Sequence, residues 1–93
     1  MDPKIENRFR IVAASKTFSN LVRFFDLRHK SVMDNCCGFG EFLIHFGPGS
    51  AGITLVKSEM EYGKGKGLDS RYGDIESEDF VIREKFDAIF ANN

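Results

Sequence analysis

Residues 31–40, SVMDNCCGFG, decide the fold of this 93-residue chain, because they join a short apolar run to an acid and a turn that contains two glycines. The apolar run predicts a buried β-strand that ends at Asp34. Gly38 and Gly40 supply backbone conformations that other residues rarely adopt, and they let a ligand approach the main chain closely. Residues 41–46, EFLIHF, predict a helix, so the order is strand, glycine turn and helix.

The segment before this stretch predicts a helix with one apolar face. Its apolar side chains recur at the i, i+3, i+4 and i+7 spacing of a helix, at Phe18, Leu21, Val22 and Phe25. We expect this helix to run from Thr17 to about Leu27, with Ser15 as its N-cap. Residues 1–14 show no clear period and predict an irregular or weakly helical lead-in.

The segment after the glycine turn alternates between strand and helix patterns. The patterns predict strands over residues 51–56, 70–74 and 86–91, a short helix over 58–67, and a loop or helical turn over 77–85. Such alternation is typical of a parallel sheet. The predicted fold class is therefore α/β, a partial parallel sheet of about four strands with flanking helices and an N-terminal helix.

The composition describes one small domain that does not enter a membrane. Of the 93 residues 42% are apolar, and the longest apolar run is far shorter than the ~20 residues of a spanning helix. The N-terminus has no apolar run of the signal-peptide kind, so we expect a cytoplasmic protein. Cys36 and Cys37 are adjacent, which disfavours a disulfide between them, and reduced thiols agree with that location.

Charge divides the chain into two segments. Residues 1–30 carry seven basic and three acidic side chains, a net charge of +4, whereas residues 31–93 carry six basic and eleven acidic, a net charge of −5. We therefore distinguish a basic N-terminal helical segment, 1–30, from a sheet domain, 31–93. A basic segment can contact the phosphate backbone of RNA. The alternative is that these charges form a solvated helix face.

The residues around the glycine turn favour a cationic ligand. A dinucleotide fingerprint requires a third glycine three positions after Gly40, where this chain has Leu43, and no phosphate-binding loop with a lysine follows. Asp34 closes the strand and Glu41 follows the turn. Two carboxylates at this place disfavour a pyrophosphate and favour a positively charged group.

The stretch from Ser31 to Gly40 resembles the first motif of class I S-adenosylmethionine (SAM)-dependent methyltransferases, an acid followed by x-G-x-G-x-G. Cys36 stands at the first glycine, which permits the turn with some strain. The resemblance implies a Rossmann-like SAM-binding domain over residues 31–93. It also implies that Asp34, Cys36, Gly38, Phe39 and Gly40 hold the amino-acid end of the cofactor SAM. The alternative is a tight strand-to-helix connection that binds nothing.

Later positions extend the resemblance. Thr54 stands where the family commonly has an acid for the ribose hydroxyls, and Ser58 or Glu59 could take that role. The Gly-Asp pair that ends at Asp74 matches a pair near the adenine. Asn92 follows a fourth strand that ends, in the family, beside the transferred methyl group.

A narrower similarity is to the FtsJ-like RNA ribose 2′-O-methyltransferases, whose catalytic set is Lys-Asp-Lys-Glu. Lys16 lies where the first lysine is expected, and a lysine buried among acids can act as a general base. Asn92 occupies the position of the aspartate, and an amide lacks its charge. The other two catalytic groups belong to strands beyond residue 93.

The family's sheet has seven strands, so the resemblance implies that this chain holds the cofactor-binding half. The fourth strand would then lie at an edge, where Phe86, Ile89 and Phe90 predict self-association or contact with a partner chain. Three functions stay open at this point. They are a SAM-dependent methyltransferase acting on RNA, a catalytically inactive module of the same fold, and a small α/β domain that works through its edge or its basic segment.

Overall fold

The computed structural model describes residues 2–91 and contains three α-helices and four β-strands. In chain order they are α1 (Pro3–Ala14), α2 (Lys16–Phe24), β1 (Val32–Asn35), β2 (Ala51–Thr54), α3 (Lys57–Gly65), β3 (Ser70–Tyr72) and β4 (Ala88–Ala91). Single 3-10 turns occur at Leu27–His29 and Leu43–His45. No helix in this part of the chain is long and apolar enough to cross a lipid bilayer.

The four strands form one parallel sheet with the order β3-β2-β1-β4. This confirms the predicted fold class. β1 lies in the interior of the sheet, where Asp34 pairs with Gly52 on one side and with Phe90 on the other. Because the strands are parallel, their carboxyl ends meet at one edge, which is where ligands bind in sheets of this kind.

Helix α1 differs from the irregular lead-in that the sequence predicts. It is a full helix of 12 residues, with Pro3 at its first position and the Asp2 carboxylate accepting a hydrogen bond from the backbone N–H of Lys4 at 2.8 Å. Aspartate followed by proline is a helix start signal. The apolar period is weak because Val12 is the one residue of α1 that lies in the buried core.

Helix α2 begins as predicted and ends earlier. The Ser15 hydroxyl accepts a hydrogen bond from the backbone N–H of Phe18 at 3.2 Å, which confirms Ser15 as the N-cap. The helix ends at Phe24, because the backbone of Asp26 takes a left-handed conformation with φ 55°. Phe25, predicted in the apolar stripe, is 51% exposed, and Leu27 enters the core in its place.

The helix predicted over residues 41–46 is wrong. This segment has one 3-10 turn, at Leu43–His45. The N–H of Gly47 lies 3.0 Å from the carbonyl oxygens of Leu27 and Lys30, so the chain leaves the helical path to pass against that backbone. Pro48 also disfavours a helical conformation at the residue before it.

The core has two parts, one on each face of the sheet. On one face Val32 packs with residues of α1, α2 and the first 3-10 turn: Val12, Phe18, Val22 and Leu27. On the other face Met33, Ala51 and Ile53 pack against the segment 80–86. Residues 1–30 therefore share a core with the sheet, and the division of the chain at residue 30 stays a prediction.

Strand β4 lies at the edge of the sheet, as predicted. Ile89 is 76% exposed. Phe86 and Phe90 are partly buried, because the first packs under the sheet and the second contacts Phe18 at 5.8 Å between ring centroids. The apolar border is thus narrower than expected, and pairing of β4 with another chain stays a prediction.

Candidate ligand site at the carboxyl edge of the sheet

The carboxyl ends of β1, β2 and β3 bring most of the predicted site residues to one edge. We use the name glycine loop for residues 35–41, which follow Asp34 in β1. The N–H of Cys37 donates to the carbonyl oxygen of Ile53 at 2.8 Å, and this bond fastens the loop to β2. Thr54 ends β2 in register with Tyr72 of β3. The edge therefore holds Asp34, the loop and Thr54 together.

The backbone of the glycine loop turns through left-handed conformations. Gly38 has φ 57° and Gly40 has φ 98°. A Cβ at Gly40 would lie 2.4 Å from Cδ1 of Leu68, and one at Gly38 would lie 2.8 Å from Oε1 of Glu41. Cys36 has φ 66°, although it carries a side chain. At the position of the family's first glycine, the backbone still has the geometry that favours glycine.

Asp34 is buried at the base of this loop with a carboxylate oxygen that has no partner. The residue is 1% exposed, and its Oδ2 makes no hydrogen bond with any residue that the structure describes. Burial, and secondly the charge of Glu41, raise the pKa of Asp34 to about 7. Buried polar atoms are nearly always paired in folded proteins. An unpaired carboxylate oxygen therefore marks a place where a ligand N–H donor would be stabilised.

The end of β2 carries a carboxylate that arrives from α3. Thr54 is 4% exposed, and its hydroxyl donates to Oε1 of Glu59 at 2.6 Å while accepting from the backbone N–H of Val56 at 3.1 Å. The hydroxyl thereby holds Glu59, which is half-buried, at the carboxyl edge. Of the two substitutes for the missing acid, Ser58 or Glu59, the structure brings Glu59 to Thr54.

The two cysteines are free thiols with different surroundings. Cys37 is buried, and its thiol lies 3.7 Å from the hydroxyl of Ser70. Burial is the main cause that raises the pKa of Cys37 to about 11, so the thiol stays neutral. Cys36 is exposed on the loop. Cys37 thus packs the base of the site and is not a nucleophile.

The remaining predicted ligand residues lie at the rim. Phe39 is half-buried and contacts Tyr62 of α3, with 5.6 Å between ring centroids. Asp74 is exposed two residues beyond β3, and its Oδ1 accepts a hydrogen bond from the backbone N–H of Glu76 at 2.9 Å. Asn92 lies outside the described residues.

Among the described residues, the structure gives Lys16 no hydrogen bond or ion pair with the predicted ligand residues at the carboxyl edge of the sheet. It is the first residue of α2, it is exposed, and within residues 2–91 its side chain has no hydrogen-bond or ion-pair partner. A lysine that acts as a general base needs burial among acids, and the described residues do not provide that environment here. Its catalytic role stays a prediction.

Helix α1 contributes contacts that the sequence analysis missed. Glu6 accepts a hydrogen bond from the hydroxyl of Tyr62 and forms an ion pair with Lys66, 3.3 Å between Oε1 and Nζ. Two residues further along α1, the guanidinium carbon of Arg8 lies 5.4 Å from the ring centroid of Phe39 in the glycine loop. The one local signal was the Asp-Pro start of α1, which predicts a helix but not what the helix contacts.

Taken together, the site offers carboxylates around a turn whose residues are mostly half-buried or buried. Asp34 lies beneath the glycine loop, Glu41 ends it, and Glu59 stands at the end of the neighbouring strand. Carboxylates accept hydrogen bonds from ammonium groups and from hydroxyls. The arrangement suits a ligand that combines a positive charge with hydroxyl groups.

No protein-family model matches the chain, and no curated protein matches it. Solved structures do. DesVI from Streptomyces venezuelae superposes with a TM-score of 0.70 at 22% identity, over 100% of this chain and 44% of that one. The sugar N-methyltransferase KedS8 from Streptoalloteichus sp. ATCC 53650 has a TM-score of 0.64 and 25% identity, over 84% and 33%.

A third similar structure is the plantazolicin methyltransferase BpumL in complex with SAH (S-adenosylhomocysteine) and a monoazolic desmethylPZN analog. Its TM-score is 0.54 at 20% identity, over 92% of this chain and 36% of that one. None of the three is described as an RNA methyltransferase, so these likenesses do not support the FtsJ-like subtype. The chain shares its fold with DesVI and with two methyltransferases, over less than half the length of each.

Proposed function

We propose that this chain is the cofactor-binding part of a SAM-dependent methyltransferase. The observation that carries the proposal is the unpaired oxygen of Asp34, buried beneath a loop whose two glycines take left-handed backbone conformations. The shared fold supports it, since BpumL has this fold and binds SAH. A simple strand-to-helix connection would give no reason to bury an unpaired carboxylate.

The residues of the edge divide the recognition of SAM between them. Asp34 accepts a hydrogen bond from the ammonium group of the amino-acid end, and the glycine loop lets that end approach the backbone. Glu59, held by Thr54, accepts from the ribose hydroxyls. Asp74 lies near the adenine. Bound SAM supplies an electrophilic methyl group on a positively charged sulfur, and the protein contributes proximity and orientation.

The finer proposal is that the methyl acceptor is the ribose 2′-hydroxyl of RNA. Its support is the net charge of +4 on residues 1–30 and the FtsJ-like position of Lys16. A second candidate is a module of the same fold that binds SAM without transferring the methyl group. The exposure of Lys16 and the amide at position 92 favour this candidate.

Calorimetric titration with SAH tests the cofactor proposal. We expect the wild type to bind and Asp34→Ala to bind at least about tenfold more weakly, a loss of roughly 1.4 kcal/mol. Asp79→Ala is the matched control, because Asp79 is an exposed aspartate of the segment after β3. Absence of binding to the wild type, or equal affinity of the wild type and Asp34→Ala, would contradict the proposal.

Transfer of a labelled methyl group from SAM separates the remaining candidates. The protein is incubated with RNA, and with an amino sugar as a second acceptor. Label in RNA that is lost in Lys16→Met supports the ribose proposal. SAH binding without label in either acceptor supports the module that does not transfer methyl groups.

A further inference from the structure

The face of the sheet that α1 and α2 cover has a cavity that the proposed cofactor site does not use. Its volume is about 460 Å³, which lies in the range of small-molecule sites. The described residues that line it come from positions 12–29 and from His45, and none of them belongs to the glycine loop or to a strand. The cavity is therefore separate from the carboxyl edge, and an inference about it does not depend on the proposed function.

The floor of the cavity is apolar and aromatic. Val12, Phe18 and Val22 line it, and all three belong to the core on this face of the sheet. The ring of Phe18 also contacts the imidazole of His45 edge-on, with 5.5 Å between ring centroids and 71° between ring planes. An aromatic group that enters the cavity would leave water and contact these side chains, which stabilises its binding.

The rim of the cavity is polar and carries more positive than negative charge. Two arginines and two histidines line it, against one carboxylate, that of Asp26. Asp26 already has a partner, because its Oδ1 lies 2.7 Å from Nδ1 of His29. The guanidinium of Arg23 donates to the side-chain oxygen of Asn20 at 2.6 Å. These groups have partners outside the cavity or at its rim, so they fix its shape.

Arg28 and His45 are the two groups of the rim that stay available to a ligand. In the part of the chain that the structure describes, neither side chain has a hydrogen-bond or ion-pair partner. Burial, and secondly the charge of Arg28, lower the pKa of His45. The imidazole is therefore neutral near pH 7 and keeps one N–H donor, while the guanidinium keeps all of its donors. A carboxylate between the two side chains would accept hydrogen bonds from both.

We propose that this cavity is a second ligand site, which binds a small aromatic carboxylic acid with its ring against Phe18 and its carboxylate between Arg28 and His45. The apolar floor disfavours a ligand that consists of a charged group alone, because burial of apolar surface supplies most of the driving force. The positive rim favours an anion over a neutral molecule of the same shape. Floor and rim thus select the same class of ligand.

Calorimetric titration with three probes tests each part of this assignment. Cinnamate has an aromatic ring and a carboxylate, cinnamyl alcohol keeps the ring without the charge, and acetate keeps the charge without the ring. We expect the wild type to bind cinnamate saturably, and to bind each of the other two probes about tenfold or more weakly. Arg28→Met should bind cinnamate about tenfold more weakly than the wild type and cinnamyl alcohol equally well. Arg10→Met should match the wild type for both, because Arg10 is an exposed arginine of α1 that does not line the cavity.

A second variant removes the other donor. His45→Phe keeps an aromatic ring beside Phe18 and loses the N–H group, so it should weaken the binding of cinnamate and not that of cinnamyl alcohol. Urea unfolding of both variants checks that the fold is kept.

Four results would overturn the inference. They are no binding of cinnamate to the wild type, equal cinnamate affinity of the wild type and Arg28→Met, an equal loss for cinnamate and cinnamyl alcohol in Arg28→Met, and an equal loss in Arg28→Met and Arg10→Met. The last of these would show an effect of net charge alone. Competition between cinnamate and SAH would also overturn it, because the probe would then bind at the carboxyl edge, and the proposed function would stand.

Discussion

Replacing Asp34 by asparagine should change how the stability of the protein depends on pH. Burial and the charge of Glu41 raise the pKa of Asp34 from its ordinary value of 3.8 to about 7. Between these two values the folded protein keeps a proton that the unfolded chain has lost. Stability therefore falls as pH rises, by about 1.4 kcal/mol per pH unit, and levels off above pH 7. Over the full window the loss is about 4 kcal/mol.

Asparagine stays neutral, so the variant lacks this dependence. Urea unfolding of both proteins at pH 5, 6, 7 and 8 measures the difference in free energy of unfolding. We expect the variant to gain about 2 kcal/mol on the wild type between pH 5 and pH 7, and only a few tenths of a kcal/mol further, about 0.4, by pH 8.

The pH-dependent contributions of other titratable groups to stability cancel when the variant is compared with the wild type. A hydrogen bond from Tyr62 lowers the pKa of Glu6, and one from Arg71 lowers the pKa of Glu84. Their contributions are lost as pH falls, equally in both proteins. A difference that stays constant from pH 5 to pH 8 would refute the reasoning, because Asp34 would then be ionised in the folded protein throughout.

Four further substitutions test the packing of the glycine loop, of α3 and of α1. Gly52→Ala should lower the free energy of unfolding by about 2 kcal/mol or more, because the added Cβ would lie 2.5 Å from Cβ of Cys37. Gly65→Ala, where a Cβ meets nothing within 4 Å, should raise it by about 0.5–1 kcal/mol; equal urea midpoints for the two variants would contradict this. Cys36→Gly should keep or raise stability in the same assay, by up to about 1 kcal/mol, since φ is 66° there, and a clear decrease would be inconsistent with backbone strain. Glu6→Gln should speed amide hydrogen exchange in α1 relative to β1, because the ion pair to α3 is lost; unchanged exchange would show that α1 is held by other contacts.

Local patterns were sufficient for the sheet. The four strands are short, and β2 and β4 are wholly apolar or nearly so, while β1 begins with an apolar pair. Short segments of this kind between turn residues are stabilised as strands wherever the sheet forms. The helix predicted over 41–46 was wrong for a nonlocal reason. Gly47 packs against the carbonyl oxygens of Leu27 and Lys30, a contact across 17 to 20 residues that no periodicity reveals.

In the candidate site, too, some residues were predictable from local sequence and others depended on nonlocal contacts. Asp34 and the glycines of the loop were predictable, because an acid and small residues after a buried strand have few structural roles. Glu59 entered as one of two substitutes, and its hydrogen bond to Thr54 distinguished it from Ser58. Lys16 was predicted from the family resemblance alone. It is exposed, and within residues 2–91 its side chain has no hydrogen-bond or ion-pair partner.

The sequence by itself determined a parallel sheet with an acid and a glycine turn at the carboxyl end of its first strand. These features depend on side-chain polarity and backbone freedom over a few consecutive residues. Only the tertiary structure decided that Asp34 is buried without a partner and that Arg8 reaches the ring of Phe39. The first follows from the pairing of β1 with both β2 and β4. The second follows from the docking of α1 on α3, where Glu6 and Tyr62 meet across 56 residues, and such contacts form only when distant segments pack together.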